Sequence, residues 1–126
     1  MKIKSVSGLT LYVKDLEKSA QFYETLGFDK RKNYDTSVTI YSNWFWLTLV
    51  SIPAEDKPGF KDDANAEKKG EGIFINLSVD DVDAFYAEVL AKGFKPSSEP
   101  KDWPWGNREF VLRDPDGYKL VFFKKK

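Results

Sequence analysis

The residues Leu9-Thr-Leu-Tyr-Val-Lys-Asp-Leu16 return later in the chain as Ile75-Asn-Leu-Ser-Val-Asp-Asp-Val82. A gapless shift of 66 residues lays Leu11 on Leu77, Val13 on Val79 and Asp15 on Asp81. The same shift carries Gly27-Phe28 onto Gly93-Phe94. It is close to half of the 126-residue length. A repeat of this size means one supersecondary unit used twice, and it constrains the fold before any single element is assigned.

Each copy opens with an alternating strand. Asp15 and Asp81 follow as N-cap residues. The spacing of Leu16, Ala20, Tyr23 and Leu26 predicts a helix from Leu16 to about Leu26. Val82, Phe85, Val89 and Leu90 predict another from Val82 to about Lys92. Gly27 and Gly93 stand where a helix-ending glycine belongs. Strands are expected at Phe28–Asn33, Ser37–Ser42 and Trp44–Ser51 in the first copy. In the second they are expected at Phe94–Ser97, Asn107–Arg113 and Tyr118–Lys124. Asp114-Pro-Asp-Gly117 is a tight turn between the last two. The reading is α+β: two tandem βαβββ modules, residues 1–52 and 72–126, within one structural domain. Residues 53–71, charged and punctuated by Pro and Gly, read as a linker or flap.

Composition excludes several functions. The chain has no His and no Cys, which removes imidazole bases, thiol nucleophiles, disulfides and most transition-metal sites. Lys+Arg and Asp+Glu number 20 each, so no basic excess points to nucleic acid. No stretch approaches the roughly 20 apolar residues of a membrane helix. The N-terminus lacks a signal-peptide pattern. A cytoplasmic protein without membrane or nucleic-acid partners is expected.

Alternation also assigns faces. Leu9, Leu11 and Val13, and likewise Ile75, Leu77 and Val79, should pack on the helices. Thr10 and Tyr12, with Phe74, Asn76 and Ser78, should line the opposite face. Phe45, Leu47 and Leu49 belong to the helix side, and Trp44, Trp46 and Thr48 to the other. Leu120 and Phe122 face the helix, with Lys119, Val121 and Phe123 opposite. A sheet face mixing aromatics, amides and hydroxyls suits a small-molecule cavity, or alternatively a dimer interface or second core. Trp46 is a stacking platform or a core residue. Trp103 and Trp105 lie in a Pro- and Gly-punctuated loop and read as the rim of a cleft. Arg108 is a bidentate anion ligand or, more commonly, a surface ion pair. Glu109 and Tyr12 are the candidate general base and acid.

The segments Val13–Phe28, Val79-Asp-Asp-Val82 and Arg113-Asp-Pro-Asp-Gly117 together resemble the glyoxalase, bleomycin-resistance and extradiol-dioxygenase (vicinal oxygen chelate) superfamily. The resemblance covers nearly the whole chain and is weakest over Pro53–Gly72. It implies two βαβββ modules forming an open, cavity-enclosing mixed sheet, commonly in a homodimer. It also implies where that superfamily's enzymes hold a divalent metal. Those positions fall on Gly8, Phe74 and Val121, none of which offers a ligating side chain; Thr48 is the nearest further candidate. No metal and no other cofactor is therefore expected.

The stretch Pro104–Gly117 is similar to the metal-free, antibiotic-binding branch. That similarity implies sequestration of a ligand by aromatic side chains. Trp46, Tyr41, Trp103 and Trp105 are the candidates, with Arg108, Phe74 and Asn76 beside them. Bleomycin is cationic and its binders are acidic, whereas this chain is neutral overall. The expected function is metal-free binding of an aromatic or amphipathic, antibiotic-like compound by a homodimer. The alternatives are a lyase, isomerase or dioxygenase-like enzyme working without the usual metal site, and a module for protein contact whose cavity face is filled.

Overall fold

Period-two burial is where the sequence becomes structure. The computed structural model describes all 126 residues. It divides them into two compact units, Met1–Glu67 and Lys68–Lys126. The first unit runs β1 (Gly8–Val13), α1 (Leu16–Thr25), β2 (Asp29–Asn33), β3 (Ser37–Ser42) and β4 (Phe45–Ser51). A 3-10 turn at Ile52–Ala54 and a one-turn helix, α2 (Lys61–Ala64), follow. The second unit runs β5 (Phe74–Ser78), α3 (Val82–Ala91), β6 (Lys101–Asp102), β7 (Asn107–Arg113) and β8 (Lys119–Lys125).

Each unit builds one four-stranded mixed sheet. The orders are β1-β4-β3-β2 and β5-β8-β7-β6. In both, the opening strand pairs in parallel with the closing strand, and the other pairings are antiparallel. The duplication is therefore one of topology as well as of sequence. The chain is two βαβββ modules in an α+β fold.

The helices start where the aspartates direct. Asp15 Oδ1 accepts the Lys18 N–H at 3.1 Å, and Asp81 Oδ1 accepts the Ala84 N–H at 3.0 Å. Both helices leave through a glycine, Gly27 at φ 112° and Gly93 at φ 88°, a conformation that a side chain disfavours. Under α1 lie Leu11, Val13, Ile40, Leu47 and Leu49, all buried, closed over by Ala20 and Tyr23. Under α3, Phe122 stacks on Phe85 at 4.8 Å and on Phe110 at 5.1 Å. Val82 and Val89 complete that core. Leu90, expected beside them, is exposed; it follows Val89 by one residue and so points about 100° further round the helix.

One expected strand is absent. Phe94–Ser97 does not join the sheet, and the edge strand is the two-residue β6. Pro96 removes a ladder donor within the segment and Pro100 another just beyond it. It is tethered to β7 by single bonds instead. Ser97 N–H donates to Val111 O at 2.8 Å, and Ser98 Oγ accepts the Val111 N–H at 3.0 Å.

Ions secure this short edge. Arg108 reaches Asp83 of α3 through Nε and Nη2, at 3.0 and 2.9 Å, and Asp102 of β6 through Nη1 at 3.0 Å. Lys126 Nζ donates to the other Asp102 oxygen at 2.6 Å. The Arg108 hydrogen bonds hold the Asp83 carboxyl below its ordinary value. Lys126 first, then Arg108, does the same for Asp102. Carboxyls lowered on folding stabilise above their unfolded values, and that stabilisation is lost as pH falls through the lowered ones. Arg108→Gln should therefore melt below wild type near pH 7. The gap should close on titration from about pH 5 towards about pH 2. Thermal melts at a series of pH values check this, and a gap that stays constant contradicts it.

Candidate functional site

The face of the second sheet turned away from α3 is ordered by strand register. Residues directly opposite on neighbouring strands share a face. Phe74, Lys119 and Arg113 form one row, and Asn76, Val121 and Val111 the next. Ser78, Phe123, Glu109 and Lys101 form a third. Lys125 and Asn107 begin a fourth. A cavity of about 670 Å³ lies over this face.

Two tryptophans stand at the far end of the cavity. The loop between β6 and β7 closes as a turn, with Gly106 N–H donating to Trp103 O at 3.1 Å and Trp103 N–H to Asn107 O at 2.8 Å. Pro104 fixes the first corner position. The turn brings the indoles of Trp103 and Trp105 into parallel stacking, with centroids 4.8 Å apart and planes 9° apart. Lys101 Nζ sits 4.2 Å from the Trp103 ring. Trp105 remains 62% exposed, so it is no core residue.

The other expected residues divide between the two units. Phe74, Asn76, Glu109, Trp103 and Trp105 all line this cavity. Arg108 does not, because alternation turns it to the α3 side, where its guanidinium is committed to two aspartates. Trp46 and Tyr41 belong to the first unit, with ring centroids 6.2 Å apart and the Arg31 guanidinium 4.3 Å above Tyr41. The lining of the second unit's cavity does not include them. Sequence reasoning did not single out Lys101, Lys125 or Ser98, which also line it. Period-two counting along β8 from Lys119 reaches Lys125, but Ser98 lies outside any strand.

Tyr12 stands in a separate, hydroxyl-rich cavity of the first unit with Thr10, Ser37, Thr48 and Glu55. Its hydroxyl donates to Glu55 Oε2 at 3.0 Å. Burial, then the bond to Glu55, raises the Tyr12 hydroxyl above its ordinary value. The Lys57 N–H, aided by Tyr12, lowers the Glu55 carboxyl. A proton held this firmly is poorly placed for general-acid work at neutral pH. Glu109 is half-buried, and the Asn107 amide points at its Oε2 from 3.5 Å.

The residues do not fit a metal. No group of three or more His, Cys, Asp or Glu side chains stands together. Lys119 Nζ lies 4.1 Å above the Phe74 ring, a cation where a ligand would be needed. Val121 is 5% exposed. Gly8 is roofed by Trp46, so that a Cβ there would lie 2.4 Å from the indole Nε1.

The sequence profile of the Glyoxalase/Bleomycin resistance protein/Dioxygenase superfamily matches residues 5–122, and the chain belongs to that superfamily. It is 27% identical to the uncharacterized protein YraH of Bacillus subtilis (strain 168), over 92% of this chain and 94% of that one. A glyoxalase/bleomycin resistance protein/dioxygenase from Nocardioides superposes with a TM-score of 0.85 at 22% identity, over 99% of this chain and 85% of that chain. The hypothetical protein SA1046 of S. aureus superposes with a TM-score of 0.75 at 28% identity, over 98% and 94% of the two chains.

The roof over Gly8 is open to measurement. Gly8→Ala should cost about 1–3 kcal/mol through overpacking. In a Trp46→Ala background the same change should cost much less. A double-mutant cycle by denaturant unfolding measures the coupling, and additive costs would show that the indole is not the obstacle.

Proposed function

We propose that this protein is a metal-free small-molecule-binding protein that sequesters an aromatic or amphipathic, antibiotic-like compound. The observation that carries the reading is the stacked Trp103–Trp105 pair at an open cavity of about 670 Å³. That volume lies within the range of small-molecule sites, roughly 300–1,000 Å³. Keeping an indole 62% exposed forgoes hydrophobic stabilisation that burial would supply. A planar ligand laid on it recovers that contact. Val121 and Phe123 form an apolar floor, and Asn76 and Asn107 supply amides for orientation.

The enzymatic alternative is supported less well. Its candidate acid is tied to Glu55. Glu109 shares its row with Lys101, Phe123 and Ser78 and makes no ion pair or short hydrogen bond that would orient it for proton transfer. Filling of the cavity face by the protein's own side chains is disfavoured by the open volume over the second sheet.

Trp105→Ala should lower the melting temperature only slightly, because the ring is largely in solvent and loses only its stack on Trp103. It should weaken binding of a planar aromatic ligand by roughly 2- to 12-fold, the worth of one stacking contact. Quenching of tryptophan fluorescence, measured beside a melt of the same variant, checks both. Unchanged affinity with so slight a change in the melt would refute the role.

We further propose a two-fold homodimer. Phe74, Trp44 and Trp105 are each more than half exposed, and such aromatic surface marks contact sites. Sedimentation at micromolar concentration should give twice the chain mass of 14.5 kDa, and a monomer there would overturn the proposal.

A further inference from the structure

The charges around the second unit's cavity are unevenly placed. The ammonium groups of Lys101, Lys119 and Lys125 line it, and none forms an ion pair. The facing carboxylates are those of Glu99 and Glu109. Register decides where the imbalance lies. Glu109 is directly opposite Lys101 and has the Asn107 amide beside it, so a cationic residue shares its row. Lys119 has no acidic neighbour in its row. Phe74 stands on one side of it and Arg113 on the other, and Arg113 is folded back onto Gly117 O at 2.9 Å. One end of the face is thus purely cationic, the middle is apolar apart from Asn76, and the far end carries the indoles among charges of both signs, Lys101, Lys125 and Glu109.

Lys119 is also held in place. Its Nζ rests 4.1 Å from the centre of the Phe74 ring, a cation–π contact that favours this placement of the ammonium. The ring takes one side of the ammonium, and no carboxylate pairs with it. Rows on a strand face repeat every two residues, about 6.6 Å. The Lys119 row and the row holding Phe123 and Glu109 are therefore about 13 Å apart along the strands.

We propose that the ligand of this cavity is an elongated amphipathic anion, whose carboxylate pairs with Lys119 and whose aromatic or apolar body lies along Val121 and Phe123 towards Trp103 and Trp105. The proposal rests on the binding function inferred above and adds the sign and position of the ligand's charge. It sets this protein apart from a binder of cationic drugs. Such a drug would meet Lys101 in the row of Glu109 and an unopposed Lys119.

Three isosteric probes separate the outcomes: biphenyl-4-carboxylate, biphenyl-4-carboxamide and 4-phenylbenzylammonium, titrated by calorimetry at low salt. The carboxylate should bind roughly five-fold more tightly than the amide, as a part-exposed ion pair allows, and the preference should shrink as salt is added. Lys119→Met should abolish the preference, and Lys119→Gln should do the same with a polar side chain. Lys124→Met removes an equal charge from the same strand on its opposite face and should leave the preference intact. Equal binding of carboxylate and amide, or a preference that survives both Lys119 variants, overturns the anion proposal while the cavity still binds. Tightest binding of the ammonium overturns it in favour of Glu109. Failure of all three probes to bind overturns the binding function itself.

Discussion

Everything in this chain follows from burying one face of each sheet under one helix. Leu11, Val13, Leu47 and Leu49 satisfy α1, and Phe110, Leu112, Leu120 and Phe122 satisfy α3. Because strand side chains alternate, fixing that face fixes the other. A one-residue slip would drive Lys119 and Glu109 into the aromatic core and expose Phe122. The cavity face is thus held by hydrophobic burial behind it, and its own residues are released from the task of stability.

That release shows in how far the two copies have diverged. The register sets Thr10 beside Thr48 and Thr39 in the first sheet, where the second sets Asn76 beside Val121 and Val111. The threonine hydroxyls at 39 and 48 bond to each other at 3.1 Å. One copy has a hydroxyl-lined face, and the other an apolar floor with aromatic ends. The buried faces, by contrast, stay aliphatic or aromatic in both. Selection on burial keeps the copies alike where they touch a helix, and the opposite faces are free to acquire different chemistry.

The sequence spoke most clearly where a local rule has a single solution. The capping aspartates, the glycines after each helix and the limits of β7 at Asn107–Arg113 were legible, since each depends on a few adjacent residues. The strand expected at Phe94–Ser97 does not form, because Pro96 and Pro100 take away ladder donors that its apolar start would need. Arg108 kept both of its sequence readings until alternation from Phe110 placed it on the helix side. The Trp103–Trp105 stack was legible as exposed aromatics in a turn but not as a parallel pair, because that depends on how Gly106 and Asn107 close the loop. The charge asymmetry around Lys119 needed the cross-strand register, which no linear pattern contains.

The indole roof over Gly8 has a consequence for variation. A side chain at position 8 is opposed while Trp46 keeps its place, since its Cβ would run into the indole ring. Any larger residue there needs the ring at position 46 to shift or shrink, so the two positions are constrained as a pair rather than singly.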